Sequence, residues 1–220
     1  MSRLGEQIQK TLLPRMHLPG ELEQLFTWIE ANGLYVDRPT GERDGFLFPE
    51  QELRDGWTDT ERPGGTIIQF HPEGNALLKY WFGHERPEVL NRVCVFARAG
   101  ADGSMAAFWL DPSGVQKIVH MGSGSGSTLV CVLAENAIDF LRLLAIGYDE
   151  ICWPDVFVDP PNANQDESFV HPNVRYQEWV RSTFGVEIPK DATAIVRHPD
   201  DMSTGNSPDP FNRWVAENVA

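Results

Sequence analysis

Few of the residues that build covalent or metal-held frames are present. The chain of 220 residues has only three cysteines, Cys94, Cys131 and Cys152. The number is odd, no CxxC pair occurs, and Cys94 and Cys131 lie inside apolar runs. The sequence therefore predicts buried, reduced thiols rather than a disulfide frame or a zinc site. No two of the six histidines stand at HxH or HxxxH spacing, the spacings that put two ligands on one face, so no metal is expected. Basic residues are also scarce: 18 Lys and Arg face 32 Asp and Glu, for a formal net charge of −14. Binding to nucleic acid rests on neutralising phosphates with cations, so a nucleic-acid reader is disfavoured, and an anionic membrane surface equally so. A basic partner would fit, although an acidic surface also serves solubility alone. No apolar run approaches the ~18 residues of a transmembrane helix. The opening MSRLGEQIQKTLLPRMHLPG lacks the apolar centre of a signal peptide. The expected location is the cytoplasm.

What is present reads as a folded α+β chain. Hydrophobic residues make up 41% and aromatic residues 10%, proportions of a globular core, and the length suits one domain over 1–220. The first convincing helix lies near Pro19–Ala31, with Leu22, Leu25, Phe26 and Ile29 in helical phase and Asn32-Gly33 as its stop. Residues 37–63 are turn-rich and acidic, predicting a surface segment with one short strand and one short helix. Residues 66–70 (TIIQF) read as a strand, and Asn75 as the cap of a short helix, ALLKYWF, closed by Gly83.

The middle predicts antiparallel sheet. Val93–Ala97, Met105–Leu110, Val115–His120 and Thr128–Leu133 are joined by AGADGS, DPSG and a Gly-Ser tract, all of hairpin composition. A second helix follows at Ala134–Ile146, stopped by Gly147. Residues 151–173 read as a linker or draped loop. Helices at Asn173–Phe184 and Pro210–Asn218 complete the chain. This order implies a single antiparallel sheet with N- and C-terminal helices, not a βαβ alternation.

Recognisable catalytic chemistry is missing. Met121–Ser127 (MGSGSGS) resembles a phosphate-cradling loop, but a P-loop ends in Lys-Ser/Thr and opens a helix. Here no lysine follows and a strand does, so a flexible hairpin is expected. Ser123 and Ser125 meet GxSxG only through the repeat, and not at a strand-to-helix elbow. The abundant carboxylates read as solvated faces. His198-Pro199-Asp200-Asp201 reads as a polar loop. The expectation is that no pocket holds converging His, Asp or Glu side chains and no metal is bound, with no catalytic residues and no cofactors.

The segments LPGELEQLFTWIEANG, VCVFARAGADGSMAAFWLDPSG and QKIVHMGSGSGSTLVCVLAENAIDFLRLLAIGYDEICW together resemble the SUKH superfamily, which includes yeast cell-wall-synthesis regulators and many bacterial immunity proteins. The resemblance covers residues 19–150, and NVRYQEWVRSTFGVEIP resembles an extension of some members, so 151–220 would pack on the core. It implies an α+β fold of helices on one antiparallel sheet, with architectural roles for Gly33, Trp109, Phe140 and Gly147 and no catalytic residue or cofactor. In bacterial members it implies an immunity protein that blocks a toxin, often a nuclease. A regulatory or scaffold protein of the same fold is the alternative, and a hydrolase whose carboxylates assemble only in the fold is a third.

A nuclease toxin is basic around its substrate groove, and an acidic inhibitor can fill that groove and speed association. The expected partner surface is the acidic stretch Asp44, Glu50, Glu52, Asp55, Trp57 and Asp59, with the loop tryptophan as anchor. A second candidate is Asp155–Asp159, with Phe157 between Asp155 and Asp159.

Overall fold

The computed structural model describes residues 1–55, 58, 60–62, 65–164 and 168–219, at 53–55 the backbone alone. Trp57 and Asp59 lie outside the described residues, as does the side chain of Asp55.

The chain opens with helix α1 (Arg3–Thr11), which the sequence reading missed. Its buried apolar residues are only Leu4 and Ile8, too few to show periodicity, and it is fixed by Ser2, whose Oγ accepts from the Gly5 amide at 3.0 Å. Helix α2 (Gly20–Ala31) buries the anticipated Leu22, Leu25, Phe26 and Ile29. Gly33 follows at φ 67, a left-handed turn that suits glycine.

Strands β1 (Tyr35–Asp37) and β2 (Arg43–Gly45) and helix α3 (Glu50–Asp55) then lead to the two-residue strand β3 (Glu61–Arg62). Not all of this stretch is surface, because Phe46, Leu47 and Phe48 are buried. Strand β4 spans Gln69–Gly74, later than the expected 66–70. The amide of Ile67 bonds the Asp149 carbonyl instead of a ladder partner. The strand tolerates Pro72 because its register with the next strand shifts between Phe70 and Gly74, the kind of irregularity where proline is admitted. Helix α4 (Leu78–Phe82) closes at a left-handed Gly83 as expected, but Asn75 is not its cap. The Asn75 side-chain amide instead donates, at 3.1 Å, to the carbonyl of Leu90, the last residue of the short helix α5 (Pro87–Leu90).

Strands β5 (Val93–Arg98), β6 (Met105–Leu110), β7 (Gln116–Met121) and β8 (Val130–Ala134) are consecutive antiparallel neighbours, as the hairpin-length connections predicted. The sheet order is β1-β2-β4-β5-β6-β7-β8. Helix α6 (Ala137–Ile146) starts later than expected, since β8 runs to Ala134 and Asn136 caps the helix through the Asp139 amide. A 3₁₀ turn (Pro154–Val158), strand β9 (Phe169–Val170), helix α7 (Val174–Phe184) and helix α8 (Pro210–Asn218) follow.

Both faces of the central strands are buried, which explains why they read as continuous apolar runs rather than alternations. Cys94, Phe96, Phe108, Cys131 and Leu133 face a core shared with α1, α2, α6 and α7. Val95, Trp109, Val119, Val130 and Val132 face a second core closed by Phe82, Phe211 and Trp214. Phe140 and Trp109, two of the residues with implied architectural roles, are fully buried in these two cores. The stretch after residue 150 therefore contributes to both cores. Among the described residues no helix is long and apolar enough to cross a membrane.

Candidate functional site

The segment after α6 is anchored before it forms a surface. Ile151 and Cys152 are buried, and Pro154 starts the 3₁₀ turn. The turn rotates Phe157 inward, to 1% exposure, against the Tyr148 ring at a centroid distance of 6.1 Å. The Tyr148 hydroxyl donates to the Asp159 carbonyl at 2.9 Å and accepts from the Ala192 amide at 3.0 Å. Phe157 is therefore a core residue and not the partner anchor expected from sequence. Its neighbour Val158 takes the outward position at 58% exposure, with Asp155 and Asp159 also exposed.

Opposite this turn lies a small parallel sheet, with β3 paired to β9 in the register Glu61↔Phe169 and Arg62↔Val170. The other edge of β9 is satisfied by one side chain. The Asn162 amide donates to the Val170 carbonyl at 2.9 Å and its oxygen accepts from the Val170 amide at 2.7 Å. Asn162 holds φ 64 to do this, a conformation asparagine tolerates better than most residues.

Turn and sheet enclose a cleft of about 630 Å³, with Arg62, Asp149, Asp155, Val158, Asp159 and Asn162 among its lining. Among the described residues its lining sets three carboxylates against one guanidinium. Burial pushes the Asp149 carboxyl above the usual carboxylate range, against a lowering by the Glu150 amide that bonds it and by Arg62. Among the described residues, no hydrogen bond or ion pair engages the carboxylates of Asp155 and Asp159. The cleft thus holds excess negative charge, part of it desolvated, beside an exposed apolar side chain. That combination can take a cationic side chain with an aliphatic stem.

The cleft takes Arg62 from the segment 37–63 but, among the described residues, none of the expected partner residues of that stretch. Arg62, at the end of the first acidic stretch, lines the same wall system as Asp155 and Asp159 from the second. The sequence carries no signal for this, because a two-residue parallel ladder has no periodicity. Within the first stretch the residues separate. Glu50 and Glu52, in the first turn of α3, are partly exposed. Asp44 is no solvated rim charge: it lies in β2 at 1% exposure. Its carboxylate meets the Arg38 guanidinium, accepts from the Gln69 side-chain amide at 2.7 Å and lies 2.6 Å from His71 Nδ1. A histidine and a carboxylate therefore converge here, at the buried join of β2 and β4 and not in the lining of the cleft. Arg38 extends the chain of contacts to Glu50 at 3.1 Å.

The remaining sequence candidates for chemistry have structural positions. His120 is fully buried, its Nδ1 against the Leu129 carbonyl, and burial pushes it down to about 4. The Gly-Ser tract is tied down rather than free. Asp102 accepts from Ser123 Oγ and from the Ser127 amide, each at 2.7 Å. The three cysteines are free and buried. Among the described residues no group of three or more His, Cys, Asp or Glu side chains is placed to hold a metal. Comparison with protein-family models, curated proteins and solved structures finds no match for this chain.

Proposed function

We propose that the protein binds and neutralises a basic protein toxin, and that the toxin's cationic side chains enter the cleft between β3 and the Pro154–Val158 turn. The observation that carries this reading is the pair Asp155 and Asp159, exposed carboxylates on the wall of a cleft of about 630 Å³ with no side-chain partner of their own among the described residues. The net charge of −14 supports it, since opposite charge on a partner raises the rate of encounter. Val158 supplies the apolar contact that a charged rim needs at its centre. The α+β architecture with one long antiparallel sheet is of the kind that the superfamily resemblance implies, and immunity proteins are its bacterial members' role.

The test is protection and binding. The toxin to test is the variable C-terminal module of a large protein, where the gene beside this chain encodes one. Co-expression of the wild-type chain should rescue growth, and the purified pair should associate faster at low salt than at high salt. The double substitution Asp155→Lys and Asp159→Lys should slow association by about tenfold at low salt and flatten the salt dependence. Absence of protection by the wild-type chain rejects the function. Protection with unchanged kinetics in the double variant rejects the cleft as the interface.

A further inference from the structure

The join between β2 and β4 is unusual in how little backbone it uses. A single register pair, Gly45↔Phe70, connects the two strands. Side-chain hydrogen bonds across the join run through one buried carboxylate, that of Asp44, which takes His71 Nδ1 at 2.6 Å and the Gln69 side-chain amide at 2.7 Å from β4. On its other side Asp44 meets Arg38, and Arg38 reaches Glu50 in the first turn of α3. Four ionisable groups on four separate pieces of chain thus form one line from β4 to α3.

The environment of Asp44 depends on one proton. With an imidazolium at His71 the Asp44 carboxylate faces two cations, and with neutral imidazole it faces Arg38 alone. Asp44 is 1% exposed, so water screens that difference poorly and the second cation counts for more than it would at the surface. Around the ring, Glu42 favours the imidazolium and Arg98, beside Gln69 in the β4–β5 register, opposes it.

We propose that His71, Asp44 and Arg38 form a proton-operated latch that holds β2 and the α3 segment against β4 while His71 is charged, and loosens them when it is neutral. The direction follows from linkage. The Asp44 contact raises His71 above its ordinary value of 6.5. The extra stability is fully present below that value and is lost as pH rises through the folded-state pKa. Loosening therefore occurs on the alkaline side. The neutral ring still donates one hydrogen bond from Nδ1, so the latch loses its charge and not its contact. The expected response is local opening rather than unfolding.

The proposal stands apart from any toxin and is tested on the isolated chain. Imidazole titration by NMR gives the His71 pKa, and amide hydrogen exchange over residues 43–52, corrected for the intrinsic pH dependence, gives opening. The wild-type ring should titrate above 6.5. The opening constant should rise with its deprotonation, by about tenfold for each pH unit that separates the closed and opened pKa of the ring. His71→Gln keeps a donor without a titration and should make the corrected opening independent of pH. Glu42→Gln lies outside the buried line, should fold normally, and should lower the His71 pKa. A wild-type ring that titrates at or below 6.5 overturns the latch. So does a His71→Gln protein with the wild-type pH response.

Discussion

Replacing Asp102 with alanine should destabilise the protein more than any other single loop substitution at the end of the sheet that carries the β5–β6 and β7–β8 loops. The carboxylate sits in the β5–β6 loop, where Oδ1 accepts from the Ser104 amide at 3.0 Å and Oδ2 from Ser104 Oγ at 2.8 Å. It also reaches across to the Gly-Ser tract through Ser123 Oγ and the Ser127 amide. Glycine at 126 is required there, because a Cβ would stand 2.7 Å from the Asp102 Cβ. These donors hold the Asp102 carboxyl down at about 2, against the opposing effect of burial. In full, a lowering of that size from 3.8 is worth about 2 kcal/mol, and partial solvent exposure reduces the charge-linked part to about 1–2 kcal/mol. Two loops also lose their shared anchor, so the whole effect of Asp102→Ala at neutral pH should be about 2–3 kcal/mol. In a chain of this length that lowers Tm by about 4–10 °C. The charge-linked part has a definite sign. It is present above the unfolded-state value of 3.8 and is lost as pH falls toward about 2, so the gap between wild type and variant should narrow from about pH 5 downward. Urea denaturation at neutral, mildly acidic and strongly acidic pH measures both quantities. A cost under about 0.5 kcal/mol, the level of an ordinary surface change, would refute the anchoring argument, and a gap constant with pH would refute its electrostatic half.

Two further expectations follow from burial. Phe157→Ala should cost about 3–5 kcal/mol of stability, as a cavity in a well-packed core does, whereas Asp159→Lys should stay within about 0.5 kcal/mol; chemical denaturation of both separates the core residue from the rim residue that flanks it. The cysteines should be inert while the protein is folded, because burial pushes the Cys94 thiol up to about 11 and the Cys131 and Cys152 thiols upward as well. A thiol-reactive chromophore at mildly alkaline pH should therefore register three thiols only after denaturant is added, and fast reaction of the native protein would contradict the packing.

The parts of the fold that were legible share a cause. Strands β5 to β8 were found because each pair is joined by a hairpin-length loop rich in turn residues, and local chemistry then dictates the neighbour. Helices α2 and α7 were found because their apolar residues repeat in phase over several turns. The failures are places where a distant partner decides. Helix α1 has two buried apolar residues and is held by the Glu23 carboxylate, which accepts from the Ser2 amide at 2.5 Å. Strand β4 hides Pro72 at a register shift that no window reveals. Asp44 sits amid acidic residues and reads as surface, yet its His71 contact lies 27 positions away; only the apolar Phe46-Leu47-Phe48 that follows hinted at burial. At Asp155–Asp159 the two acids are exposed as their composition suggested, while the tight 3₁₀ turn exchanged the roles of Phe157 and Val158.

These positions also change what the charge can mean. A formal charge of −14 suggests an acidic coat, but several carboxylates are structural parts. Asp44 joins two strands, and Asp102 ties two loops. Asp209 is 2% exposed and seals the outer edge of the sheet. One of its oxygens accepts from the Val132 amide at 2.9 Å, and the other caps α8 through the Phe211 and Asn212 amides. Burial raises the Asp209 carboxyl against the lowering effect of those three amides, so it serves the backbone and not a partner. Carboxylates of this kind are committed before any ligand arrives, and reversing one would damage the fold and mimic a loss of binding. Asp155 and Asp159 differ in being exposed, unengaged among the described residues and aligned on one cleft wall. An interface argued from net charge alone would not separate these two classes. One argued from the cleft does, because it predicts that Asp155 and Asp159 can be reversed without loss of stability, whereas Asp44, Asp102 and Asp209 cannot.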